Sequence, residues 1–371
     1  MTRAICATAL VAICLSITAA VPGRVTAAPP PCKQLAGSGC ATVFGFNTYT
    51  SKRTIAEQRS LGATASRLFV DWALVQQSPG QWNWHHTDSE YAAMVAAGLH
   101  PLIVAFTAPC WARPSTDCLD PYFTGPPDPA YDQDWSRFVS RLTARYPRAI
   151  GIEVWNEPNL DQYFLPHADP ARFTQLLHEA YTAVKAVNAN MPVVSGGLLL
   201  SPPVSGPGPV PGGYGADQFL AAMYAAGARQ WMNALGVHIY PSTYVDGVPA
   251  RWAVGSMQSW LAQLKPVRAR YGAGAQPIWI TEMGISTATE PDWPAAATQA
   301  QQASDLVRMV GVASANPAVQ VAIVHTLEDE VVGLGDPDNE INAGWGVFTA
   351  AGTPKPAACA LSRAWDGSLA C

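Results

Sequence analysis

The chain has 371 residues, 49% of them hydrophobic and 13% charged, with a formal net charge of −5. That is ample apolar material for a large core, and the acidic balance excludes the basic surface that nucleic-acid binding requires. Thirteen Trp and twelve Tyr suit stacking on sugar rings as well as core filling.

At the N-terminus, Arg3 precedes the apolar run AICATALVAICLSITAA, and small residues follow in VTAAPP. This is the layout of a secretory signal. Residues 1–27 are read as the signal and 28–371 as one mature domain, with Val25-x-Ala27 or Thr26-x-Ala28 as the cleavage motif. The run is short for a membrane span. An uncleaved anchor is the alternative to export without stable membrane insertion. Cys6 and Cys14 leave with the signal, and the rest form three local couples: Cys32 and Cys40, Cys110 and Cys118, Cys359 and Cys371. Oxidising compartments favour such pairing. Connectivity stays open, crossed pairs between the chain ends included. Cys110–Cys118, inside the loop CWARPSTDC, is the leading pair. No C-x-x-C spacing occurs, so structural zinc is not expected.

Eight strand-like runs follow in order: TVFGFN, ASRLFVDW, PLIVAFT, IGIEVWNE, PVVSGG, ALGVHIYP, PIWITEMG and QVAIVHTL. Amphipathic stretches lie between them. In PARFTQLLHEAYTAVKAV, Phe173, Leu176, Leu177, Ala180, Tyr181 and Val184 share one helical face, and DWSRFVSRLTARYP and QASDLVRMVGVA behave alike. The alternation predicts an α/β fold, a single-domain (β/α)8 TIM barrel, rather than an open sheet. No G-x-G-x-x-G follows the first strand, which weakens a dinucleotide-binding reading. The Pro/Gly-rich segment at 201–215 reads as a long loop after the fifth strand, either bordering a cleft or simply tolerated on the surface.

Two of these strands end in a carboxylate. In GIEVWNEPN, Pro158 marks the strand end, and an ionised Glu157 is costly to bury without partners. In PIWITEMG, Glu282 takes the matching place on the seventh strand. In a parallel barrel such ends carry the chemistry, and two carboxylates flanking one bond are what glycoside hydrolysis requires.

VWNEPN followed by ITEMG resembles the retaining glycoside hydrolases of clan A, with families 39 and 5 the nearest match. The resemblance extends through SRLFVDWALVQQSPGQWNW, AGLHPLIVAFTAPCWA, VHIYP and WGVFTAAGTPKP, nearly the whole mature chain. It implies Glu157 as general acid/base, Glu282 as nucleophile, and Asn156 as the amide that holds the sugar 2-hydroxyl. It implies Arg67 and Tyr240 beside Glu282, the cation keeping the nucleophile ionised, and a Glu157 that lacks so close a cation. The two carboxyls are then expected about 5–5.5 Å apart. His238 shares a strand face with Tyr240, although taken alone it reads as a core histidine. Trp111, after the third strand, either stacks on a sugar or belongs to the core or rim.

One departure stands out. Many clan members end the eighth strand in Trp, whereas this chain has His325 and Thr326 there, and Trp345 in NAGWGVF is the candidate substitute. No cofactor or metal is expected. DPDNE at 336–340 lacks the glycine and spacing of a calcium hand. The partner expected of a monomeric secreted enzyme is a β-linked polysaccharide or oligosaccharide. Arg exceeds Lys 17 to 5, which points to a GC-rich genome and, with the resemblance, to an actinobacterial barrel. Cell-wall galactofuranan is then one substrate and plant-type β-glucan or xylan the other. No cellulose-binding module accompanies the barrel, which favours the wall polymer. A carbohydrate-binding barrel without turnover is the reading from a different class.

Overall fold

The structure is a computed structural model that describes residues 42–113, 124–201, 212–245, 248–288, 296–330 and 343–371. The signal segment, Cys32, Cys40, Cys118, most of the loop at 201–215 and the DPDNE stretch lie outside these residues. All eight expected strands form. They are β1 (Val43–Asn47), β2 (Ala65–Asp71), β3 (His100–Phe106), β4 (Gly151–Asn156), β5 (Val193–Leu199), β6 (Leu235–Ile239), β9 (Ile278–Met283) and β10 (Val319–His325). They run in parallel, and the sheet closes where β1 pairs with β10. Between β6 and β9 a short antiparallel ribbon, β7 (Ser242–Val245) and β8 (Val248–Trp252), stands apart from the barrel. Its sequence does carry a hairpin signal that sequence reasoning missed, Thr243, Tyr244 and Val245 followed by the Asp246-Gly247 pair.

The strands are near-continuous runs of Val, Ile, Leu and Ala because both of their faces are covered. Inside the barrel, Val43, Ala65, Leu102, Val194, Trp279, Val321 and Ile323 fill the bottom. Outside, a larger apolar shell lies under the helices. These are α1 (Lys52–Ser60), α2 (Trp72–Val75), α3 (His85–Ala96), α4 (Asp132–Arg145), α5 (Pro170–Val187), α6 (Ala216–Ala225), α7 (Gly255–Arg270), α8 (Gln299–Ala315) and α9 (Pro356–Ala364). Helix α5 starts where Asp169 Oδ1 accepts from the amides of Ala171 and Arg172 at 2.8 and 3.0 Å, with Pro170 at its first position. It buries Phe173, Leu176, Leu177, Ala180 and Val184 as the periodicity predicts. Among the described residues no helix is long and apolar enough to cross a membrane.

Cys359, on α9, is bonded to Cys371 with the two Cα atoms 5.8 Å apart, so this couple is local rather than crossed. The tail between them returns to α1, where the amides of Ser368 and Leu369 donate to the Ser60 carbonyl. A 12-residue separation corresponds, on chain-entropy grounds, to about 3 kcal/mol of stabilisation. Cys371→Ser is therefore expected to lower the thermal midpoint while leaving the secondary structure intact, as read by circular dichroism. Non-reducing peptide mapping that recovered Cys359 joined to any other cysteine would contradict the local pairing.

Candidate active site

The site is built from two breaks in strand alternation. Along β4, Glu153 points into the barrel, while Val154 and Trp155 both pack in the outer shell. Trp155 lies against Phe106, Trp135 and Phe164, and its indole donates to the Tyr163 carbonyl at 2.7 Å. Asn156 and Glu157 then both enter the mouth. Regular pleating would have sent Asn156 outward. The left-handed backbone of Trp155 (φ 74°) and Glu157 (φ 43°) makes the change, a conformation that costs non-glycine residues of order 1–3 kcal/mol. On β9 a register shift against β6 has the same effect. Thr281 and Glu282 are consecutive, yet both face inward, as a bulge allows.

Arg67, on β2, sits at the centre and is buried. Its Nε donates to Glu153 Oε2 at 2.8 Å, its Nη2 to Asn156 Oδ1 at 2.9 Å, and its Nη1 to Glu282 Oε1. Below it, Glu153 also accepts from Thr281 Oγ1 at 2.8 Å and from the Gly197 amide at 3.1 Å. Gly197 has to be glycine, because a Cβ there would stand 2.1 Å from His238 Nε2. Glu282 further accepts from the Tyr240 hydroxyl and, at 3.3 Å, from Asn47 Nδ2. His238 Nδ1 lies 2.7 Å from Glu157 Oε1 and 3.5 Å from Glu282 Oε2. One oxygen of each of these two carboxylates lies within 4.8 Å of the other. So close an approach is compatible with the spacing of about 5–5.5 Å between carboxyl groups at which one carboxylate attacks directly.

Environment separates the two carboxyls. Burial, with the charge of Glu282 adding to it, raises the pKa of Glu157 against the pull of His238. Burial opposes the charge of Glu282 too, but His238, Arg67 and the Tyr240 hydroxyl outweigh it and hold Glu282 at about 2. Tyr240, pushed well above its usual value by burial and by Glu282, keeps the proton it donates. His238 is desolvated, yet Glu282 and Glu157 raise its pKa.

The site thus brings together Glu157, Glu282, Asn156, Arg67, His238 and Tyr240. His238 is no isolated core histidine, and it corrects the expectation that Glu157 lacks a close cationic partner. Trp345 reaches the mouth from its loop, with its ring 4.8 Å from Tyr240 and 5.9 Å from His325. Trp111 does not join the carboxylates. Its indole donates to the Gln76 carbonyl at 3.0 Å, and it packs edge-on against Trp72 and Tyr131 as part of the wall. Sequence reasoning missed Glu153 and Asn47. Glu157, His238 and Glu282 offer donor atoms close enough for a metal ion, but they already bond one another or Arg67, whose guanidinium would repel a cation.

No protein-family model matches the chain, and none of the curated proteins matches it. Solved structures do. A family 39 glycoside hydrolase from Bacteroides cellulosilyticus WH2 is 20% identical with a TM-score of 0.60, covering 89% of this chain and 64% of its own. A family 39 β-xylosidase from Caulobacter crescentus is 21% identical at 0.61, with 91% and 72% covered. A family 5 enzyme from Streptomyces cattleya is 16% identical at 0.63, with 88% and 80% covered. The chain therefore spans a little under two thirds of the length of the first. It shares the closed eight-stranded barrel fold of these enzymes.

Glu153→Gln should expose how far Arg67 depends on its counter-ion. Removing one partner of a buried pair typically costs about 3–5 kcal/mol. The expected result is a clear fall in the urea midpoint with an unchanged slope. A midpoint equal to that of the parent would show that Glu153 does not balance Arg67.

Proposed function

We propose that the chain is a secreted, monomeric retaining O-glycoside hydrolase that cleaves β-linked, uncharged polysaccharide or oligosaccharide without a cofactor. The observation that carries this reading is the close pair of carboxyls with opposite proton affinities, Glu157 raised and Glu282 lowered. Such separation within one cleft assigns an acid and a nucleophile. Glu282 attacks the anomeric carbon while Glu157 gives its proton to the departing glycosidic oxygen. The glycosyl ester on Glu282 is then broken by water, which passes its proton to Glu157, so the two inversions give net retention. Asn156, whose Oδ1 accepts from Arg67, holds the 2-hydroxyl of the glycone in this reading.

The cleft favours a neutral sugar. Glu153, Glu157 and Glu282 lie together, and the hydrogen bonds of Arg67 go to Glu153, Glu282 and Asn156. A uronate would meet carboxylates and, among the described residues, no spare guanidinium there. Cell-wall galactofuranan is the substrate put forward, with plant-type β-glucan or xylan next. The opposed pKa values argue for turnover over mere sugar binding. Export is supported by the N-terminal apolar run and by the bond between Cys359 and Cys371.

Hydrolysis of nitrophenyl β-glucoside, β-xyloside, β-mannoside and β-galactofuranoside tests the activity and the sugar. Glu157→Gln and Glu282→Gln should each lose at least about 10²–10⁴ in rate on the best substrate while keeping the parent's circular dichroism. Near-parental turnover by either variant would refute the assignment. Proton NMR of the first-formed product should show the substrate's own anomeric configuration, and an inverted first product would rule out double displacement.

The pH profile follows from the same shifts. Turnover needs Glu282 ionised and Glu157 protonated. The acid limb therefore follows the lowered Glu282, and activity falls as pH rises through the raised pKa of Glu157. His238 pulls both values down. His238→Asn should accordingly move both limbs of the kcat/KM profile to higher pH. Unmoved limbs would show that His238 does not govern the pair.

A further inference from the structure

His325 ends β10 with its ring edge-on to Tyr240 and Trp345, at centroid distances of 6.0 and 5.9 Å. Its Nδ1 lies 3.1 Å from Nδ2 of Asn47, the last residue of β1. The direction of this bond can be worked out. The same Nδ2 lies 3.3 Å from Glu282 Oε1, and an ionised carboxylate can only accept. The amide nitrogen of Asn47, not its oxygen, therefore faces Glu282. Its two hydrogens go one to the carboxylate and one to the imidazole. Nδ1 is then an acceptor, and a neutral ring must carry its proton on Nε2. Burial keeps the ring toward its neutral form against the attraction of Glu282. The Thr326 hydroxyl donates to the Asn47 carbonyl and fixes the backbone from which the amide projects. The ring is partly exposed, and among the described residues no group takes its Nε2–H.

We propose that Asn47 is a positioning residue that locks His325 in the Nε2–H tautomer, which makes His325 a fixed hydrogen-bond donor to an oxygen of the sugar seated over Glu282. The donor role rests on the glycosidase reading; the tautomer lock does not. A fixed donor discriminates more sharply than an apolar wall, because a sugar lacking the matching oxygen leaves a desolvated N–H unpaired.

Nitrogen-15 NMR of the full chain carrying labelled histidine, with His325 assigned by its loss in His325→Gln, tests the lock. Near neutral pH the parent should show a neutral ring protonated on Nε2. Asn47→Asp, read at a pH high enough to ionise the new carboxyl, presents only acceptors and should move the proton to Nδ1 or yield a doubly protonated ring. Asn47→Ala, the second variant should the aspartate fail to fold, should give a mixture of tautomers. A parent ring protonated on Nδ1, or a variant that folds and keeps the parental pattern, would overturn the lock. His325→Phe preserves a ring but removes the donor. It should lower kcat/KM on the best nitrophenyl glycoside about tenfold or more, mostly through KM. A change below about twofold, under 0.4 kcal/mol at 25 °C, would overturn the donor role. A parent that turns over no member of the panel would end the glycosidase reading and the donor role together, while the NMR pattern still decides the lock.

Discussion

A guanidinium buried in a barrel must be neutralised where it stands, and the rest of the site follows from how Arg67 meets that demand. Its planar fork reaches Glu153 and Asn156 on β4 and Glu282 on β9. Three strands that are far apart in sequence are thereby set at fixed distances, and the nucleophile candidate is held by a cation that is itself held from below. Lysine would not serve, since a single ammonium cannot address three acceptors in one plane. The ring of Phe69 lies under the guanidinium at 4.6 Å, adding a contact that is compatible with its delocalised charge.

The same constraint divides the protons. Arg67 bonds to Glu282 and not to Glu157, so its charge stabilises one ionised carboxyl much more than the other. Glu157 has His238 instead, a partner whose own charge depends on the pair it serves. His238 Nδ1 stands 2.7 Å from Glu157 and 3.5 Å from Glu282, so it bears on both carboxyls but bonds only the first. That division is what a double displacement asks of two otherwise identical side chains.

Much of this was legible in the sequence. The strands are rich in Val, Ile, Leu and Ala, and Glu157 and Glu282 stand at the ends of two of them. Arg67, Asn156 and Tyr240 came with the resemblance. What stayed hidden depends on breaks in local rules. Glu153 lies in mid-strand, and simple alternation groups it with Trp155 and Glu157, so nothing marks it as the counter-ion of Arg67. Only the left-handed turn at Trp155 separates the indole from the two glutamates. Trp111 gives its indole N–H to the Gln76 carbonyl, a wall contact that its sequence does not mark. Asn47 looks like an ordinary strand end, because its partners are supplied by the far end of the chain. The β7–β8 ribbon did carry a signal, the Asp246-Gly247 pair after Thr243, Tyr244 and Val245, but Pro249 obscures its second strand.

Closure of β1 against β10 has a consequence for the life history of the molecule. Asn47 and His325 are 278 residues apart, and Arg67 and Glu282 are 215 apart. Each of these contacts must wait until its later partner has been made, long after the earlier one has emerged. Until then the β2 guanidinium and the β4 carboxylates have no β9 to bond. Topologies dominated by such distant pairings fold slowly and leave apolar strand edges open meanwhile. A nascent chain that stopped short of β10 would thus contain most of the barrel's mass but neither the strand that closes it nor the His325 edge of its cleft.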